Sequence, residues 1–365
     1  MNKRSILQLL VIILTFNACS TDDDNTATDN GTTDGDSLTQ IVGTEVTTNT
    51  DKTLKSVCFA NETVGYIAGG KAELVTADNS AIILKTTDGG TTWNSVFTDT
   101  GYYAISIYAT SPTVAYATTS SNFILKTTDG GATWEQKQIG TNNFYMSHVN
   151  FVSNDVGYVV GSNSANGELY KTTDAGETWI DLKEDNTILT NLLIDNQLTN
   201  IEFSATETIS ISGGLWNNGT LLRSTNAGVD WNKISVSGNI KTTDVSIAGN
   251  TGFLVGNNGI TNASSELGEL FKTTDSGVTW SLVNTGFNNR IEKLSYKNDV
   301  ICVVGKNKSN NLSDPEFLML SKDNGNTWSR VGHNFAVVGW EDVTFISATK
   351  IIAVGYSGRS ILIQL

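Results

Sequence analysis

The chain has 365 residues, with 37 Asp and Glu against 23 Lys and Arg, a formal net charge of −14, two His, three Cys and only two Pro. So acidic a balance disfavours nucleic acid and anionic membrane surfaces as partners, and so few His and Cys offer no ligand cluster for a metal. Abundant Gly, Thr, Ser and Asn suit many short strands and turns rather than helices.

Residues 1–18 read as an export signal. Lys3 and Arg4 form a positive start, and the apolar run from Ile6 to Phe16 is too short to cross a bilayer. Ala18-Cys19 resembles a bacterial lipobox, with Phe16 where Leu is usual. On that reading cleavage falls before Cys19, which then carries lipid and anchors the protein to a membrane. The alternative is an ordinary signal peptide with an unrelated Cys. Residues 19–38 follow as a tether of Thr, Asp, Asn and Gly with almost nothing apolar to bury. Its acidic start, Ser20-Thr-Asp-Asp-Asp24, resembles the surface-export signal of Bacteroidetes lipoproteins, which implies an outer-membrane lipoprotein exposed at the cell surface. Without Lys3 and Arg4, 21 basic residues face 37 acidic ones, a net charge of −16.

From residue 39 to 365 the chain repeats. Lys85-Thr-Thr-Asp-Gly-Gly-Thr-Thr-Trp93 recurs as Lys126–Trp134, Lys171–Trp179, Arg223–Trp231 and Lys272–Trp280, and its core returns in Ser321–Trp328. The copies lie 41 to 52 residues apart, the period of a four-stranded propeller blade. An apolar strand leads into each copy. The acidic position (Asp88, Asp129, Asp174, Asn226, Asp275, Asp323) is placed to accept hydrogen bonds from the backbone just after it. The second Gly supplies a conformation that side chains disfavour. The Trp (Trp93, Trp134, Trp179, Trp231, Trp280, Trp328) opens the next strand and buries apolar area. The motif is therefore a structural hairpin staple. It resembles the Asp-box, or bacterial neuraminidase, repeat. The fourth copy departs, with Asn226 for Asp and Asp230 for Thr.

Seven apolar pairs precede the six boxes: Val57/Phe59, Ile107/Ala109, Val149/Phe151, Ile201/Phe203, Val245/Ile247, Leu294/Tyr296 and Val343/Phe345. Each begins an inner strand, and the second strand ends at a Gly in all units except the second, which has Thr119. The seventh unit stops at Leu365 before any box, while Gln40–Val46 precedes the first inner strand as an extra one. The predicted fold is all-β, a seven-bladed propeller in which the N-terminal strand completes the last blade and closes the ring. The longest connector, 183–199, holds either a short helix or an extra turn. Cys58 and Cys302 fall in separate strands and read as small buried hydrophobes.

The box hairpins share one face. The opposite face carries the loops between second and third strands and between blades, and propellers of this kind bind there, over the channel. Candidates for a binding face are Tyr102, Tyr103, Phe144, Tyr145, His148, Trp216, Asn217, Asn218, Arg290, Trp340, Tyr356 and Arg359, with Asn257, Asn258, Phe287, His333 and Phe335 nearby. Aromatics interleaved with Asn suit sugar rings or a protein partner.

An Asp-box sialidase needs three Arg on one carboxylate, and only Arg290 and Arg359 of the four mature Arg fall on this face. There is no phosphate-binding Gly loop and no nucleophile elbow, and no cofactor is expected. A two-carboxylate glycosidase would draw on Glu202, Asp244 and Asp342. The unit Val156–Trp179 resembles the photosystem II stability and assembly factor family. That resemblance implies a seven-bladed, non-catalytic assembly factor with an Arg-rich binding surface, a patch this chain lacks. The expected function is a non-catalytic scaffold recognising a protein or glycan; the alternative is a glycoside hydrolase or other glycan-active enzyme.

Overall fold

The computed structural model describes residues 41–72, 79–140, 144–184, 186–215, 218–238, 240–258, 267–287, 289–306, 317–335 and 339–365. Seven antiparallel sheets follow one another around a ring, their inner strands being Thr53–Phe59, Ala104–Ala109, Tyr145–Phe151, Leu198–Ala205, Ile240–Ala248, Arg290–Lys297 and Trp340–Phe345. This is a seven-bladed β-propeller. The seventh sheet is completed by Thr44–Thr47, which pairs antiparallel with Arg359–Leu362. Just before it, Ile41–Val42 pairs in parallel with Val331–Gly332 on the outer edge of blade six, an addition the repeat pattern does not announce. Gly43 makes the step between blades. A Cβ there would sit 2.4 Å from Ile361 Cδ1, so only Gly lets the chain pass this close.

Seven apolar clusters fill the seven seams between neighbouring blades. Each box Trp packs into the seam shared with the preceding blade: Trp93 with blade seven, Trp134 with one, Trp179 with two, Trp231 with three, Trp280 with four and Trp328 with five. Truncating such a ring to Ala costs about 3–5 kcal/mol. The seam between blades six and seven receives no box Trp; Trp340 lies in its core instead.

The box cation points the other way. Lys85 Nζ donates to Gly130 O at 2.7 Å, Lys171 to Ala227 O at 3.0 Å, Arg223 Nε to Ser276 O at 3.2 Å and Lys272 to Asn324 O at 2.8 Å. Lys126 reaches Glu177, and Lys350 of blade seven reaches Gly89 O at 2.7 Å. Each of the first five boxes thus seals the seam behind it and clasps the box ahead, and Lys350 clasps box one from the boxless blade seven. Within box one, the Thr86 hydroxyl and the N–H groups of Thr91 and Thr92 donate to Asp88 Oδ1 at 2.8, 3.0 and 2.9 Å, and the Thr92 hydroxyl donates to Oδ2 at 2.6 Å. Gly89 and Gly90 take φ of 71° and 84°, the left-handed pair that folds the backbone around the carboxylate.

The connector between blades three and four contains one helix, Thr187–Leu193, capped when Asn186 Oδ1 accepts Leu189 N–H at 2.9 Å. Leu189 and Leu193 anchor it in the seam below. Among the described residues no helix is long and apolar enough to cross a membrane.

Candidate functional site

Every inner strand carries a β-bulge at the same level, at 54/56, 104/107, 146/148, 198/200, 242/244, 291/293 and 340/342. The bulge explains the recurrent Gly on the second strand. A Cβ on Gly69, Gly161, Gly213 or Gly305 would lie 1.8–2.2 Å from a carbonyl oxygen of the inner strand beside it. It also breaks the alternation of side chains, re-aiming the residues around it.

The residues just after the bulges are Ser56, Ser106, His148, Asn200, Asp244, Lys293 and Asp342, one per blade. Several stitch neighbouring blades together. Asp342 Oδ2 accepts Val57 N–H at 2.8 Å, Ser56 Oγ accepts Ile107 N–H at 3.3 Å, Ser106 Oγ accepts Val149 N–H at 3.4 Å and Asp244 Oδ2 accepts Leu294 N–H at 2.8 Å. Asn200 donates to Asp244, and His148 Nδ1 meets Ser106 Oγ at 3.1 Å. Two positions on, Cys58, Tyr108 and Glu202 join the lining of a cavity of about 300 Å³ within the ring.

This cavity holds Glu202, Asp244 and Asp342 together, the three carboxylates considered for a glycosidase. Burial, with the charge of Asp244, pushes the Glu202 carboxyl up to about 8, so it keeps its proton at neutral pH. Burial raises Asp342 to about 6, with Lys293 opposing. Asp244 is raised by burial and held back by Lys293, which lies 3.6 Å away, and by the Leu294 and Val245 N–H groups. Burial, reinforced by Lys293, drives His148 well below its usual value. Burial also lifts the Cys58 thiol to about 12, leaving it unreactive. Lys293 thus acts on Glu202, Asp244, Asp342 and His148 alike. Among the described residues no group of three or more His, Cys, Asp or Glu side chains is arranged to hold a metal ion.

A second level lies at the channel mouth, on the face away from the boxes. Lys55 pairs with Glu341 at 3.2 Å, Lys306 with Glu341 at 3.0 Å and with Glu292 at 3.6 Å, and Arg290 with Glu292 at 3.2 Å. Lys55 and Lys306 both approach the Tyr356 ring, at 5.7 and 5.4 Å. Burial would raise the Glu341 carboxyl, but Lys306 and Lys55 hold it below the usual range. Burial raises the Tyr145 hydroxyl above its usual range, with Tyr103 and the Glu341 charge of blade seven adding to it. Arg359 lies over the Phe335 ring at 5.2 Å. Tyr103, Tyr145, Arg290 and Tyr356 thus gather around one mouth, while Arg359 covers Phe335 at the seam between blades six and seven.

Other candidates lie elsewhere. His148 is inside the channel. Tyr102 is buried, with its hydroxyl donating to Asp99 at 2.6 Å and its edge on Phe123. Phe144 is buried and stacked on Tyr170, and Phe287 packs against Phe317 and Trp328. Trp340, 1% exposed, has His333 and Phe335 packed against it. Asn257 clasps Ile291 through both its N–H and carbonyl, bridging blades five and six. Trp216 and Asn217 lie outside the described residues, as does Cys19; Asn218 is placed by its backbone, which pairs with Leu215. Sequence reasoning passed over Lys55, Glu292, Lys306 and Glu341. The only signal was a charged residue two places before the apolar pair in blades one, six and seven.

The sequence matches the family model described as photosynthesis system II assembly factor YCF48 over residues 92–190 and 132–284, together more than half of the chain. No curated protein matches it. Among solved structures, a YCF48 bound to a D1 peptide aligns with a TM-score of 0.64 at 15% identity, over 90% of this chain and 100% of the other. YCF48 from Cyanidioschyzon merolae aligns at 0.62 and 14% identity, over 88% and 98%. A GH74 enzyme from Niastella koreensis aligns at 0.58 and 19% identity, over 84% of this chain and 51% of that one. Likeness at these identities establishes a shared fold.

Proposed function

This chain belongs to the photosynthesis system II assembly factor YCF48 family, and from that premise we propose that it is a non-catalytic binding scaffold holding a segment of a partner protein at the channel mouth. One observation carries this reading over a catalytic one: Asp244 and Asp342 are spent on main-chain N–H groups of neighbouring blades. The mouth above offers what a polypeptide segment needs, with cations, carboxylates and tyrosine rings within reach of one another. The relative solved with a D1 peptide supports a protein ligand over others. The photosystem itself is not part of the proposal, because the family's Arg-rich surface is missing here.

The test is affinity capture of the full-length protein from cross-linked native membranes. Enrichment of one protein, lost with Lys306→Ala and with Tyr356→Ala, is the expected result. Capture that survives both changes would remove the mouth from the proposal.

A second reading, a glycan-active enzyme, rests on the protonated Glu202 in the same cavity as two further carboxylates, an acid poised as glycosidases require. Shortened polysaccharide recovered with the wild type, and intact polysaccharide with Glu202→Gln, would make that reading the better one.

We also propose, from the signals around Cys19 alone, a lipid anchor and a place at the outer-membrane surface. Metabolic labelling with an alkynyl fatty acid should mark the wild type and miss Cys19→Ala. Equal labelling of both would refute the anchor.

A further inference from the structure

We propose that the cleft between blades two and three is a second binding site, for a neutral sugar unit of a glycan. It has a volume of about 450 Å³ and is walled by Ser120–Asn122 from one blade and Ser162–Ser164 from the next, with Phe144 and Tyr145 between them. That size is in the range of small-ligand pockets. Among the described residues no charged side chain lines it, in a protein of net charge −14. Among the described residues the side chains of Ser121, Asn122, Ser162 and Asn163 have no hydrogen-bond partner, and all four are half-buried. Two hydroxyls and two amides with open valences therefore converge on one space.

Tyr145 supplies the apolar component. The residue is 43% exposed, and it is the only aromatic among the exposed large hydrophobics of the described residues. It is also pre-organised: its backbone pairs with Ser162 in the sheet. A rigid aromatic surface beside uncharged donors and acceptors matches a hexose, which presents C–H groups on one side and hydroxyls at its edge. An ionic ligand would find no counter-charge. An extended peptide would find no open strand edge, because main-chain groups of both walls are already taken by neighbouring segments: Ser120 N–H donates to Tyr103 O at 2.9 Å, Asn122 O accepts Ile139 N–H at 3.0 Å, and the Gln197 side chain donates to Ser164 O at 2.8 Å.

This site adjoins the mouth and shares Tyr145 with it, so Asn163→Leu is the variant that touches the cleft alone and Tyr356→Ala the one that touches the mouth alone. The full-length protein is titrated with cellotetraose, mannotetraose and xylotetraose to about 10 mM, with tetragalacturonate as the charged comparison, and binding is read by saturation-transfer NMR. At least one neutral tetrasaccharide should saturate the protein. Its affinity should fall about tenfold or more with Tyr145→Ala and with Asn163→Leu and stay unchanged with Tyr356→Ala. Asn163→Leu guards against a folding defect in the Tyr145 variant. No saturable binding of any neutral tetrasaccharide, binding that survives both cleft variants, or tighter binding of tetragalacturonate would each overturn the assignment.

Discussion

In the fourth box Asn226 Nδ2 donates to Asp230 Oδ2 at 2.8 Å, the mirror of the bond made in the other boxes, where a Thr hydroxyl donates to an Asp carboxylate. Asn226 Oδ1 still accepts the Asp230 N–H at 2.9 Å and the Ser224 hydroxyl at 3.0 Å. Two departures from the repeat are one compensated exchange of donor and acceptor. Asn226→Asp alone should therefore set two carboxylates against each other and cost about 1 kcal/mol or more. Asn226→Asp with Asp230→Thr should recover most of it. A double-mutant cycle by urea denaturation reads the coupling, and additive effects would mean the exchange is accidental.

The box carboxyls set the acid limit of stability. Asp88, Asp129, Asp174, Asp275 and Asp323 are each held at about 2, first by the hydroxyl of the box Thr and then by backbone N–H groups. Folding lowers these values below the unfolded one of about 3.9, so their contribution is complete above about pH 4 and disappears as pH falls toward 2. The melting temperature should drop steeply across that window. Asp275→Asn should melt lower at neutral pH and lose less on acidification; a slope equal to that of the wild type would show that the box carboxylate does not govern it.

Glu202 acts in the opposite direction. Folding raises it to about 8, from about 4.3 in an unfolded chain, so its contribution is whole below about pH 4 and is lost progressively as pH rises to 8. Glu202→Gln removes that dependence. The melting temperature of the variant relative to wild type should rise between about pH 5 and pH 8.5. A flat difference would mean that Glu202 titrates normally.

Closure depends on residues 44–47 and on the passage at Gly43. Deleting residues 39–47 should lower the melting temperature sharply, because both the last blade and the edge of blade six lose a strand. Deleting 20–36 should not. Gly43→Val forces a side chain onto Ile361 and should cost about 1–3 kcal/mol, part of which Ile361→Ala should return. Equal melting of the two truncations would contradict the closure.

The blade count, the boxes and the closing strand could all be read from the chain, because each repeats a local pattern. Asp, Gly and Trp at fixed spacing make the same hairpin wherever they occur, and seven apolar pairs against six boxes leave one strand to be supplied from the N-terminus. What a residue meets across a seam is not local. Tyr102, Phe144 and Trp340 stand in loops or at strand starts that suggest exposure, yet the packing of the blade seams buries each of them. Trp340 is drawn inside where no box Trp reaches the seam.

The channel was beyond the pattern for a related reason. A bulge adds one residue to a strand without disturbing the apolar spacing that follows, so Lys55, Glu292 and Glu341 look like ordinary solvated positions. Only the ring of seven strands brings them to one mouth, and sets Glu202, Asp244 and Asp342 around Lys293 below it. The repeat, and with it the fold, is written in the order of residues, because hydrogen bonds within a hairpin join residues a few positions apart. The tertiary structure decided which side chains share a cavity and which are buried, because those contacts join residues tens to hundreds of positions apart and depend on how the blades close.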